Sequence, residues 1–264
     1  MSHYRIPGYL ICAVACIVAV SAWPTTAMAV SAQVEMTDPV LPIPAGQVAA
    51  GTAAVDWVAG GRLYNSVGNL GDTFSLGSIR GGQLYFHGDI FSWIDNPSLT
   101  DFSPRRLFYT LEPGYNWVQD GNELRVFIKH QSFHSVDTPD VPSKVSYELV
   151  GFSYRRLSNP RITLRVGGYV DKTTVDYGWD LLGSANFDLP KCLGHRSYAE
   201  AWVHHVTETG NPSGRNGFTD FAAECGLTIH DGFSIFARYE FLHDVDVFNG
   251  TSDHHYLVGP KYVW

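Results

Sequence analysis

The stretch Phe233–Phe241 reads F-S-I-F-A-R-Y-E-F. Phe233, Ile235, Ala237, Tyr239 and Phe241 share one phase of a two-residue period. Ser234, Phe236, Arg238 and Glu240 share the other. Successive side chains of an extended chain point to opposite faces, so this is a strand with one apolar and one largely polar face. The pattern recurs in Arg161–Val170, where Ile162, Leu164, Val166, Gly168 and Val170 alternate with Arg161, Thr163, Arg165, Gly167 and Tyr169. It recurs again in Gln83–Ile90, with Leu84, Phe86, Gly88 and Ile90 against Gln83, Tyr85, His87 and Asp89. No helical period of similar strength follows residue 30.

Read along the chain, the alternation predicts strands at 56–64, 71–78, 82–92, 105–117, 122–134, 144–156, 161–170, 178–188, 197–206, 218–229, 232–242 and 254–264. Tight turns fall at I-R-G-G (79–82), Q-D-G-N (119–122), L-S-N-P (157–160) and H-D-G (230–232). Longer loops fall between them, at 93–104, 135–143, 171–177, 207–217 and 243–253. Segment 189–196 departs from the rule, being long where a short turn is due. Short turns at one rim, longer loops at the other and an even strand count characterise transmembrane β-barrels. The final segment, H-H-Y-L-V-G-P-K-Y-V-W, puts Tyr256, Val258, Tyr262 and Trp264 in one phase. Its aromatic last residue resembles the closing strand of bacterial outer-membrane barrels. The expected fold is all-β: a transmembrane antiparallel up-and-down β-barrel of about twelve strands, ten being the alternative count. A secreted soluble barrel or sandwich would show the same alternation, because the period does not say which face is outside.

Tyr9–Val20, Y-L-I-C-A-V-A-C-I-V-A-V, is apolar but too short for a helical span. Pro24 interrupts it and Ala27-Met28-Ala29 fits a small-residue cleavage site, so residues 1–29 are expected to be a signal peptide. Residues 30–54 show no period and are expected to form an extended leader, with the barrel over 55–264. The formal charge is −8. Residues 1–29 hold Arg5 and no acid, so their removal leaves −9. An acidic chain without a basic cluster excludes nucleic acid as partner. The expected location is the bacterial outer membrane. The expected partners are outer-membrane lipids and lipopolysaccharide, for a monomer or weak homodimer. Two cysteines, Cys192 and Cys225, lie beyond residue 29. Export permits a disulfide, but the bond needs Cα atoms within about 7 Å, which leaves their pairing open.

Segment 122–134 fixes the orientation of the wall. Leu124, Val126, Ile128, His130, Ser132 and His134 share one phase; Glu123, Arg125, Phe127, Lys129 and Gln131 share the other. A Lys or Arg facing lipid near the midplane costs roughly 2–4 kcal/mol. Arg125 and Lys129 therefore face inward, and His130 and Ser132 face outward. Counted from the tight turns, the segment runs away from the short-turn rim, which places His130 and Ser132 near the loop rim, at headgroup level.

A histidine and a serine two apart on one outward strand resemble the outer-membrane phospholipase A and lipid A deacylase families. That resemblance implies His130 as general base and Ser132 as nucleophile, oriented by an Asn or Glu. Serine needs an adjacent base and the base an orienting partner. The sequence departs from those families in two places. Phe133 follows the serine where they have Asn, and Lys144 stands about where their third residue lies. Glu148 on the next strand is the candidate orienter, with His134, Asp137 and Asp140 as loop-side alternatives. The longer spacing His130-x-Ser132-x-His134-x-x-Asp137 resembles the family known as domain of unknown function 1207, found in bacterial envelopes. That family implies no activity.

Without catalysis, His130, Ser132 and His134 read as an interfacial polar belt, matched at the lower rim by Tyr115 and Trp117. His134 with Asp137 is the candidate metal pair, whereas His130 and His134 sit about 13 Å apart on an extended strand. Neighbours in a strand face opposite ways, so neither His204-His205 nor His254-His255 chelates. The inward set is His87, Asp89, Glu112, Arg125, Lys129, Arg165, Glu200, Glu224, Arg238 and Glu240, a mixed-sign group that reads as a polar plug. The first functional expectation is an integral outer-membrane barrel with a plugged polar interior and no assigned activity. The alternatives are a lipid acyl-ester hydrolase using Ser132 and His130, and a narrow small-solute pore. No cofactor is expected; calcium is the ion the hydrolase reading admits.

Overall fold

The computed structural model describes residues 48–58, 66–95, 103–135, 144–170, 176–209, 214–242 and 253–263. The signal peptide, most of the leader, Asp137, Asp140 and Trp264 lie outside them. Among the described residues twelve strands follow one another: β1 Val48–Val58, β2 Ser66–Ile79, β3 Gly82–Asp95, β4 Ser103–Gln119, β5 Asn122–Ser135, β6 Lys144–Arg156, β7 Arg161–Tyr169, β8 Asp176–Cys192, β9 His195–Thr209, β10 Gly217–His230, β11 Phe233–Leu242 and β12 Asp253–Val263. Each pairs antiparallel with the next, and β1 pairs with β12, so the sheet closes as an up-and-down barrel.

Two expectations are corrected. The first strand occupies Val48–Val58 rather than 56–64, so the leader gives way to the barrel earlier than residue 55. Its sequence, V-A-A-G-T-A-A-V-D-W-V, is dominated by small residues, which give too little contrast between phases to reveal a period. Segment 189–196 is not a loop. β8 continues to Cys192, and Leu193-Gly194 make a two-residue turn to β9. Leu193 and Gly194 have φ of 52° and 85°. The Asp120-Gly121 turn has the same shape, with 50° and 75°, and such paired positive φ values match the twist of a hairpin. Leucine in that position hides the turn from a reading that seeks Asn or Asp. The short-turn rim therefore carries all five short connections.

Outward positions are apolar along the wall: Leu70, Phe74, Leu84, Ile90, Leu124, Val126, Ile128, Val150, Phe152, Leu164, Val203 and Ile235 are all exposed. Inward positions are buried and largely polar. Glu123 takes Asn116 Nδ2 at 2.8 Å and pairs with Arg125 at 3.0 Å and Arg155 at 3.4 Å. Tyr85 donates its hydroxyl to Glu112 at 2.7 Å, and Arg165 lies 3.4 Å from the same carboxylate. Glu224 receives Arg238 at 2.6 Å, Lys261 at 3.0 Å and the Tyr198 hydroxyl at 2.7 Å. Arg238 also reaches Glu240 at 3.0 Å. Nearer the loop rim, Asp180 accepts from His204 and Tyr169, both at 3.0 Å.

Glycines make room for these rings. Tyr85 lies directly opposite Gly114, and a Cβ on Gly114 would stand 2.5 Å from the ring. Tyr198 lies opposite Gly226 in the same way. Phe127 lies opposite Gly151, where a Cβ would also collide with the ring. Each of these rings also meets a cation: Arg125 is 5.1 Å from the Tyr85 centroid, Arg165 4.1 Å from Phe127 and Lys261 5.4 Å from Tyr198. Glycine, ring and cation form a unit that recurs three times, combining close packing with cation–π attraction.

Candidate active site

On the outward face, β5 and β6 meet in a series of rungs. From mid-wall toward the loop rim these are Val126 opposite Phe152, Ile128 opposite Val150, His130 opposite Glu148, Ser132 opposite Ser146 and His134 opposite Lys144. The series changes from apolar to polar at His130, the ninth of fourteen residues in β5. On the other flank, β4 sets Leu111 opposite His130 and Tyr109 opposite Ser132.

His130 Nδ1 lies 2.6 Å from Glu148 Oε1. The two side chains are 35 % and 38 % exposed, so the pair is open to whatever surrounds the wall. An ionised carboxylate only accepts, so Nδ1 carries the hydrogen and Nε2 of the neutral ring keeps its lone pair. That is the tautomer a general base requires. Glu148 is fixed in turn by its strand, since the Val170 amide donates to the Glu148 carbonyl at 2.9 Å just past the end of β7. Ser132 is recessed, at 5 % exposure, between Tyr109 and Ser146. Among the described residues it makes no hydrogen bond to His130. Such contacts are often long before substrate arrives and tighten in the complex.

Of the four orienting candidates in the sequence, Glu148 is the one that the described residues bring to His130. Lys144 stands two rungs away, opposite His134. Asp137 lies outside the described residues, as does the side chain of His134, so the candidate metal pair does too. Among the described residues no group of three or more His, Cys, Asp or Glu side chains converges on a point. The histidine doublets divide across the wall. His204 faces in toward Asp180, while His205 faces out and meets Thr219 at 2.8 Å. His255 faces in, 4.0 Å from Glu240, while His254 faces out and meets the Tyr239 hydroxyl at 2.7 Å.

The ten inward residues read from sequence do lie on the inner face. Lys129 bears electrostatically on Asp89 and Asp180, and Glu200 on Lys261. Glu123 shares the inward phase of Arg125, as its strand pattern predicts, whereas Asp180, Glu208 and Lys261, which the sequence reading missed, also lie in the inward phase of their strands. No disulfide joins Cys192 and Cys225. Cys192 lies opposite His195, and Cys225 lies opposite Ala199. These partners are four residues apart on β9, roughly 13 Å, too far for the bond.

The fold has solved counterparts. The outer membrane phospholipase of Salmonella typhi, described as a dimer with bound calcium, aligns with a TM-score of 0.57 over 84 % of this chain and 94 % of that one, at 10 % identity. Outer membrane phospholipase A from Escherichia coli aligns with a TM-score of 0.55 over 81 % and 95 %, at 11 % identity. At such identities the likeness is one of fold: this chain has the architecture of the outer-membrane β-barrels. No family model matches the chain, that of domain of unknown function 1207 included. No curated protein matches it in sequence.

Proposed function

We propose that this protein is an outer-membrane acyl-ester hydrolase in which Ser132 is the nucleophile, His130 the general base and Glu148 the group that orients His130. The 2.6 Å contact between His130 and Glu148, on the outward face, carries the reading. Ionisable groups facing lipid are costly and call for a reason. The apolar rungs below the pair, Ile128 with Val150 and Val126 with Phe152, suit an acyl chain whose ester lies at the level of Ser132. The substrate class is accordingly a membrane lipid, either phospholipid or lipid A. Ser132 Oγ attacks the ester carbonyl as its proton passes to His130 Nε2. The alkoxide of the leaving group takes that proton, and water from the headgroup layer then releases the acyl group by the same route.

The experiment is cleavage of phospholipid and lipid A by the purified protein in detergent, with and without calcium, for wild type, Ser132→Ala and His130→Ala. Activity that disappears in both variants supports the reading. Its absence from wild type, or its persistence in the variants, overturns it.

The second reading is a plugged barrel with no activity. It draws on the recess of Ser132 and on the carboxylate–cation pairs that occupy the inner wall. The same pairs weigh against a solute pore, for which conductance in a planar bilayer is the measurement. Outer-membrane lipids and lipopolysaccharide are the proposed surroundings, for a monomer or weak homodimer. Calcium is the one ion the hydrolase reading admits.

A further inference from the structure

We propose that the Ser146 hydroxyl is the oxyanion donor of this site; the inference rests on the hydrolase reading above. Attack on an ester carbonyl moves charge onto its oxygen, and preorganised donors aimed at that oxygen are commonly the largest single contribution to such catalysis. Sites with the nucleophile on a turn offer spare backbone N–H groups. Ser132 has no such neighbours. β5 pairs with β4 from Arg106 opposite Ser135 down to Leu111 opposite His130, and with β6 from Asn122 opposite Arg156 to His134 opposite Lys144. Around Ser132 the amides of an antiparallel strand held on both flanks are committed to the two ladders. The donor that this chain itself can supply is then a side chain.

Ser146 meets the geometric requirement. It is the direct partner of Ser132 on β6, and facing residues of an antiparallel pair have Cβ atoms about 4.5–5.5 Å apart. An acyl carbon bonded to Ser132 Oγ, with its oxygen turned toward β6, brings that oxygen within hydrogen-bonding reach of Ser146 Oγ. The Ser146 hydroxyl makes no hydrogen bond among the described residues, so it can turn to the new charge. Tyr109, the partner on β4, has interactions of its own. The two flanks then divide the work. β6 supplies the orienting carboxylate and the oxyanion donor, and β4, through Leu111 and Tyr109, supplies a largely apolar side for the substrate.

The test is steady-state kinetics of the purified full chain on phospholipid in mixed micelles, comparing wild type with Ser146→Ala, Ser146→Thr and Ser132→Ala. Ser146→Ala is expected to lower kcat by about 10²–10³-fold, with KM changed by less than about threefold. Ser146→Thr, which keeps a hydroxyl, should recover most of kcat. If Ser146→Ala turns over like wild type while Ser132→Ala is inactive, the oxyanion assignment falls and the hydrolase reading stands. The same holds if Ser146→Thr is as slow as Ser146→Ala. If Ser132→Ala is as active as wild type, or wild type is inactive, both fall together. Retention of the heat-modifiable gel shift by each variant shows that a lost rate is not a lost fold.

Discussion

Glu224 and Glu148 sit on opposite sides of the barrel wall. Glu224 points inward and takes three donors, from Tyr198, Arg238 and Lys261, so that almost nothing of it meets solvent. Glu148 points outward and holds one imidazole at its partly exposed rung. The inner carboxylate is explained by its neighbours, because a buried charge needs compensation and finds it. The outer one is not, because an apolar residue would serve the wall equally well. Structural chemistry accounts for the lumen, and a demand beyond folding accounts better for the rung at His130.

That contrast can be broken by experiment. The largest expected effect belongs to Ser132→Ala, which should remove lipid-ester cleavage by about 10³-fold or more while leaving the urea midpoint of the folded barrel unchanged. Glu224→Ala should do the reverse. It takes from Lys261 its 3.0 Å carboxylate and leaves Arg238 with Glu240 alone, and breaking a buried pair typically costs 3–5 kcal/mol, so the urea midpoint should fall strongly. Activity per folded molecule should change little. Glu148→Gln should reduce kcat by about 10²-fold or more with stability nearly intact. A stability loss as large as that of Glu224→Ala would mean that the outer pair is structural after all. Gly226→Val drives a side chain into the Tyr198 ring and should cost about 1–3 kcal/mol, read from the same urea titration. Smallest of all is Asp188→Asn at the short-turn rim, where the exposed 3.0 Å pair with Arg161 should contribute less than about 1 kcal/mol.

The wall was legible because lipid and lumen impose opposite demands on alternate residues. Arg125 and Lys129 alone set the phase of β5, and the tight Asp120-Gly121 turn before it, against the long loop after it, sets its direction. β1 escaped because alanine, glycine and threonine satisfy either face. The β8–β9 turn escaped because Leu193 occupies a position usually given to Asn or Asp. At the site, the pair His130 and Ser132 was visible, whereas its third member was ambiguous for a specific reason. In a hairpin, the residue opposite a given position is set by the register across the loop. The sequence of 136–143 does not reveal that register. A shift of four residues separates Lys144 from Glu148, and the observed pairing gives His130 the carboxylate. Which inward charges meet is likewise a property of barrel closure: Lys261 reaches Glu224 from β12 to β10, across the intervening β11.

The inner cluster on β9 to β12 has one further consequence. Glu224 and Glu240 carry two negative charges, and Arg238 and Lys261 carry two positive ones, so this set sums to zero. Glu200 on β9 faces the same two cations, so the set can be excised without an orphaned charge only together with it, whereas the loss of any one member leaves a buried group without its counterpart. Replacing the four and Glu200 together by serine, with Tyr198 shortened above Gly226, is therefore the route by which this barrel could be hollowed into a conduit, and piecemeal substitution is the route by which it would collapse.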